Sequence, residues 1–162
     1  MGTVAVQVAR HRGLTVVGTA SERNHDYLRS LGAIPVTYGD GLADRIRAIA
    51  PQGVDAALDA SGRGSLPALV DLTGDPGRVI TLADPSAEAL GVRFAFGEPD
   101  DMPAILADAV TLVAAGTITL PIARTYALSD AAGAHRDSQD AAGAHRDSQA
   151  GHVRGKLVLV PG

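Results

Sequence analysis

The sequence predicts an α/β protein: a Rossmann-like, doubly wound parallel sheet whose first strand is missing. Two observations carry the class. Short β-branched runs alternate with helix-length runs along the whole chain, the pattern of βαβ units. The chain is also 46% hydrophobic with 19 glycines, which suits helices packed closely on both faces of a buried sheet. Its 162 residues are one domain's worth of chain, so a single domain over 1–162 is the expectation.

The elements follow in order. Thr3 to Arg10 reads as a helix with Val4, Val6, Val8 and Ala9 apolar, stopped by Gly13. Leu14 to Gly18 is a β-branched run, hence a strand. Ser21 is a good N-cap for a helix over Glu22 to Leu31, with Gly32 at its C′ position. Ile34 to Tyr38 is a strand with Pro35 near its start, where a lost N–H matters least. Leu42 to Ala50 is a helix with Leu42, Ile46 and Ile49 on one side. Val54 to Asp59 is a strand, Leu66 to Leu72 a short helix, Gly77 to Leu82 a strand, and Val92 to Phe96 a further short one. Asp101 to Ala115 is a helix closed by Gly116. Ile122 to Ala127 and Lys156 to Val160 are strands around a last helix that starts near Ser129.

Composition excludes several functions. The formal charge is −4, so no basic field exists for a nucleic acid or an anionic membrane. There is no cysteine, which removes disulfides and thiolate zinc sites; no metal is expected. No apolar run approaches the ~20 residues of a membrane span. The start has no signal-peptide layout, and a cytoplasmic protein is the expectation. The single lysine, Lys156, precedes Leu157 and follows His152 by four residues. It therefore belongs neither to a G-K-[ST] phosphate loop nor to a Tyr-x-x-x-Lys pair. H-E-x-x-H and G-x-S-x-G are absent too.

Two features break the pattern. DAAGAHRDSQ occupies 130–139 and occurs again, unchanged, at 140–149. Ten residues on one helix rotate by ~280° beyond two turns, so the second copy faces ~80° away from the first. Both copies cannot present the same alanine face to a sheet. The expectation is a duplication within one helix, with one copy docked, the other exposed or projecting, and the last strand unshifted. The second feature is that the chain opens on a helix, where a parallel α/β sheet opens on a strand.

GTVAVQVARHRGLTVVGTASERNHDYLRSLGA, VDAALDASG, GRVITLAD and GHVRGKLVLVPG together resemble the cofactor domain of the medium-chain dehydrogenases/reductases. The resemblance is to the zinc-independent, quinone-oxidoreductase-like branch. There a turn of the form A-x-G-G-V-G precedes a helix beginning T-V-A-V-Q. Gly2 matches the last glycine of that turn. The resemblance implies that the earlier glycines, the central strand and an N-terminal substrate domain lie outside this sequence. It implies a dinucleotide as ligand, with hydride moving between a nicotinamide and a quinone or activated enone in the intact relative, and the cofactor supplying the chemistry. The competing expectation is a non-catalytic nucleotide-binding or dimerisation module, or an engineered duplication; a homodimer partner is a further possibility of the resemblance.

The resemblance also assigns residues. Gly2 and Thr3 open the helix whose N-terminus meets the pyrophosphate. Gly18 and Thr19 end the first strand present here, and Ser21 and Arg23 follow it, where the adenosine ribose lands. Arg and Ser there suit a 2′-phosphate, giving NADP over NAD; Glu22 reads as an anion at a helix N-terminus. Tyr38 ends the next strand, as an adenine or phosphate contact or as a solvated strand-end tyrosine. Ser61, in DASG, and Leu82 lie beside the ribose and nicotinamide, and Asp59 reads as a turn or cap residue. His11, His25, His135, His145 and His152 read as mostly solvated, and Arg154 and Lys156 as phosphate contacts or a solvated turn.

Overall fold

A computed structural model describes residues 1–95, 101–143 and 155–161. The described chain forms two compact units, Met1–Thr117 and Ile118–Gly162. In the first unit the order is α1 (Gly2–His11), β1 (Val17–Thr19), α2 (His25–Ser30), β2 (Ile34–Val36), α3 (Leu42–Ile49), β3 (Ala57–Asp59), α4 (Leu66–Thr73), β4 (Val79–Thr81), β5 (Arg93–Phe94) and α5 (Met102–Ala114). Each strand pair is parallel, which bears out the fold class: β1 pairs with β2, and β4 lies between β3 and β5. No strand joins β1 to β3 among the described residues.

The strands are shorter than their apolar runs. Leu14 stays outside β1 and is 55% exposed, because no strand pairs on that stretch. The helix expected from Glu22 begins as a 3-10 turn over Glu22–Asn24, and α2 starts at His25. Ser21 makes no side-chain cap. Its Oγ instead accepts from Asn24 Nδ2 at 3.2 Å, and the Asn24 amide closes the turn on the Ser21 carbonyl. Pro35 sits in an edge strand that bonds β1 on one side only, so its missing N–H leaves no gap. A 3-10 turn over Pro85–Leu90 was not expected; Asp84 starts it by accepting from the Ser86 amide at 2.9 Å.

Two clusters make the core. Val36, Leu42, Ile46 and Leu72 form one, with Val17, Val54 and Leu69 against it. Leu66, Val79, Ala87 and Val92 form the other, again with Leu69. Leu69 on α4 thus joins the packing under β2 to that under β4. At β1 the contact is closer: a Cβ on Gly18 would meet the Leu28 methyls at 3.2 and 3.3 Å, so glycine lets α2 settle on the strand.

The second unit has β6 (Ile122–Ala127), a 3-10 turn over Leu128–Asp130, α6 (Ala131–Gly143) and β7 (Lys156–Val160). Both strands fall where the sequence places them. They pair in parallel from Ile122 opposite Lys156 to Ala127 opposite Val160, and α6 packs on both. The first DAAGAHRDSQ copy is docked: Ala134 is buried, and the Tyr126 hydroxyl donates to Asp137 Oδ2 at 2.6 Å. Arg124 bonds the same carboxylate. The helix runs on into the second copy as far as Gly143; the rest of that copy, with His145, His152 and Arg154, lies outside the described residues.

Candidate functional site

Ligands of open parallel sheets bind beyond the carboxyl ends of the strands, and the expected residues gather at such ends in two places. The first is the edge of β1 and β2. Thr19 lies opposite Val36, and the Ala20 amide extends the pairing to the Val36 carbonyl at 2.9 Å. Ser21 and Arg23 therefore leave the sheet at the same edge as Tyr38, which is 45% exposed. His25 Nε2 lies 3.3 Å from the Ala20 carbonyl and, when it carries the proton, ties the start of α2 to this edge. Gly18 is covered by Leu28 of α2.

The second place is the edge of β3 and β4, where Asp59 organises the chain. Its Oδ1 accepts from the Ser61 amide at 3.0 Å, the Ser61 hydroxyl at 2.9 Å and the Gly62 amide at 3.2 Å. Its Oδ2 accepts from the Thr81 hydroxyl at 2.7 Å. Thr81 Oγ1 in turn accepts from the amides of Ala83 and Asp84 at 3.1 and 3.0 Å. Ser61 and Leu82 are thus carried on one network, and the Leu82 amide also bonds the Asp59 carbonyl at 2.8 Å. Burial pushes the Asp59 carboxyl up, but the bonds from Ser61, Thr81 and Gly62 outweigh it and hold the group below its ordinary value. The turn role expected of Asp59 is the one it plays.

Gly62 is where the two loops touch. Its φ is +63°, and a Cβ there would lie 2.5 Å from the Ala83 carbonyl oxygen. Asp84 is buried beside this contact. The Ser86 hydroxyl and amide hold its carboxyl below the ordinary value, against burial and the charge of Asp59. Among the described residues its Oδ2 has no partner in hydrogen-bond geometry, and the Gly64 amide also favours the charged carboxylate. Gly62 closes the DASG stretch that the resemblance places beside the ribose and nicotinamide; the sequence does not single out Asp84.

Gly2 and Thr3 open α1. No side chain caps this helix, which leaves its first amides open as at any bare N-terminus. A Cβ on Gly2 would meet nothing within 4 Å. His11 and His135 are exposed and His25 is half-buried. Lys156 is exposed at the start of β7.

Residues 1–110 match the family model described as zinc-binding dehydrogenase. The chain belongs to that family. A curated relative, the 2-haloacrylate reductase of a Burkholderia species, is 32% identical over 84% of this chain and 48% of its own length. A quinone oxidoreductase from Coxiella burnetii has a similar structure: TM-score 0.64, 27% identity, covering 96% of this chain and 48% of that one. A mycobacterial protein solved in complex with NADPH has TM-score 0.72 at 21% identity, covering 99% of this chain and 53% of that one, a likeness of fold. The chain thus spans about half the length of these relatives. The family's description raises zinc. The chain has no cysteine, and the described residues contain no group of three or more His, Asp or Glu placed to hold a metal ion. No described helix is long and apolar enough to cross a membrane.

Proposed function

We propose that this chain is the dinucleotide-binding part of an oxidoreductase that takes NADPH in preference to NADH and passes hydride to a quinone or an activated alkene such as an enone. The observation that carries the reading is the parallel register of Thr19 and Val36. It delivers Ser21, Arg23 and Tyr38 to one carboxyl edge, where the adenosine end of a dinucleotide rests in such sheets. Ser21 and Arg23 receive the 2′-phosphate, Tyr38 the adenosine, the α1 N-terminus with Gly2 and Thr3 the pyrophosphate, and the Ser61 and Leu82 loops the nicotinamide side. Bound NADPH supplies the hydride; these residues orient it.

Two similarities support the reading. The mycobacterial neighbour is a complex with NADPH. The Burkholderia relative is named for reducing a haloacrylate, an alkene activated by a carboxylate. The substrate side of the cleft is expected from outside these residues. In keeping with that, α5 leaves Ile105, Leu106, Val110 and Val113 exposed, an apolar surface suited to a covering domain. The 162 residues alone are expected to show no turnover of NADPH with quinones above a heat-inactivated control.

Calorimetric titration tests the binding. Charge-assisted bonds contribute about 1.5–3 kcal/mol each, so Arg23→Ala weakens NADPH by about tenfold or more and leaves NADH little changed. Equal affinity of the native chain for NADH and NADPH would refute the roles of Ser21 and Arg23. Saturable binding without turnover after fusion to a relative's substrate domain would favour the non-catalytic module.

A further inference from the structure

Arg45 is the fourth residue of α3, near a helix N-terminus, where the macrodipole disfavours a cation. Leu42 and Ile46 of the same helix are 6% and 5% exposed and fix it against Val36. From this anchored position the guanidinium reaches back over the chain that leaves β2. Nε and Nη2 both donate to the Thr37 carbonyl, at 3.1 and 2.8 Å. Nη1 donates to the Asp40 carbonyl at 2.7 Å. Nη2 also lies 3.3 Å from the Gly39 carbonyl and 3.5 Å from that of Tyr38. No carboxylate pairs with Arg45 among the described residues. All its reach goes to carbonyls on both sides of one residue, Tyr38.

The turn's own backbone bond runs from the Leu42 amide to the Gly39 carbonyl at 3.1 Å, which leaves the carbonyls of Thr37, Tyr38 and Asp40 to the guanidinium. Gly39 and Gly41 both have positive φ, +93° and +74°, and glycine loses more conformational freedom on ordering than any other residue. The planar guanidinium fork, with donors in fixed directions, supplies the missing restraint. An ammonium, a single point of charge on a flexible stem, cannot bracket carbonyls three residues apart.

We propose that Arg45 is a positioning residue for the dinucleotide: it sets the place of Tyr38 at the β1–β2 edge by clamping the backbone from Thr37 to Asp40. The proposal rests on the reading above that Tyr38 contacts the adenosine end. Positioning and direct charge attraction differ in what they predict. Adenosine is common to NADH and NADPH, so loss of a Tyr38 contact weakens both by the same factor. Attraction of the 2′-phosphate by the guanidinium affects NADPH alone and survives replacement by lysine.

The test is titration of the whole chain with NADPH and with NADH for the native protein, Arg45→Met, Arg45→Lys, Tyr38→Ala and the double variant Arg45→Lys/Tyr38→Ala, with circular dichroism confirming that each is folded. Arg45→Met and Arg45→Lys are both expected to weaken the two ligands alike, by about tenfold. The double variant is expected to bind no more weakly than Tyr38→Ala, because a clamp without its tyrosine has nothing left to place. If Arg45→Met does not fold, Arg45→Lys carries the same comparison. Unchanged binding in Arg45→Lys, a loss confined to NADPH, or losses that multiply in the double variant would each overturn the proposal and leave the dinucleotide reading standing. A native chain that binds neither ligand would overturn both.

Discussion

The Thr81 hydroxyl donates to Asp59 Oδ2 at 2.7 Å, joining the carboxyl end of β4 to that of β3. The same Thr81 oxygen accepts from two amides of the loop that follows, and the other Asp59 oxygen accepts from the loop that follows β3. One carboxylate therefore sets the course of both loops proposed to face the nicotinamide. Asp59 and Thr81 are 4% and 0% exposed, so water does not stand in for either partner.

Asp59→Asn tests this directly. A carboxylate accepts on both oxygens, whereas an amide accepts on one side and donates on the other. Whichever way the amide lies, its NH2 meets groups that are already donors. A buried donor left without an acceptor costs about 1–3 kcal/mol. The expected result is a lower urea midpoint with the slope unchanged. A midpoint shift worth less than about 0.5 kcal/mol, the usual scatter of surface changes, would show that the network does not hold the loops.

Acid should act through the same groups. Asp59 and Asp84 both titrate below their ordinary 3.8 in the folded chain. The unfolded chain therefore takes up their protons first as pH falls. Their contribution to stability is complete above 3.8 and is lost as pH drops through the lower folded values. Urea midpoints measured on either side of that value should fall on the acid side. Asp59→Asn should fall less steeply, having lost one of the two groups; an identical slope in the two proteins would remove Asp59 as a cause.

Much of this was legible from residue types. β6 and β7 begin and end where the apolar runs do, and Gly13, Gly32 and Gly116 adopt the positive φ that ends a helix. The DASG spacing is that of an aspartate bonding amides two and three residues on, and the chain uses it so. What could not be read is long-range. Thr81 is 22 residues from Asp59, and no local pattern marks the pair. The Arg45 clamp was missed because an arginine in an amphipathic helix looks like a solvated face. Ser21 does sit at the N-cap position, in extended backbone, but its hydroxyl accepts from Asn24 Nδ2 and not from a helix amide, a choice that propensity does not record.

Gly62→Ala should be among the least tolerated single changes in the first unit. The residue has φ +63°, and the new methyl would lie 2.5 Å from the Ala83 oxygen. The left-handed conformation alone costs an L-residue about 1–2 kcal/mol. The clash adds to this, because the obstacle is backbone and must move. Denaturation should show a loss above that figure. Gly74→Ala provides the control: its φ is +69° with nothing within 4 Å of the new methyl, so it should show the conformational loss alone. Equal losses at the two sites would mean that the loops part without resistance.

In the second unit, Tyr126 reports on Asp137. Its hydroxyl donates to that carboxylate, and this bond is the main reason that its ionisation is pushed above the ordinary 10.0; burial adds to the rise, while Arg124 opposes it. Replacing Asp137 by Asn should move the tyrosine's ultraviolet titration back towards neutral pH. No movement would mean that the first repeat copy is not held on β6 through this pair.

The repeat itself gives the last prediction. Because 130–139 and 140–149 are identical, removing either copy leaves the same protein, so one deletion tests both. That protein keeps one Ala134 to bury and one Asp137 to bond Tyr126, and Ala150 then follows the remaining copy directly. What it loses is ten residues between the docked copy and β7. Shortening a connection changes closure entropy only as the logarithm of length, a small gain. On one continuous helix ten residues end ~80° away from a whole number of turns, so two identical copies cannot both present the same alanine face. The deletion of 140–149 should therefore leave the second unit as stable as before or more so, with Tyr126 still titrating high. A loss of more than about 2 kcal/mol, far outside the ±0.5 of ordinary surface changes, would show that both copies are packed and that the second is part of the fold.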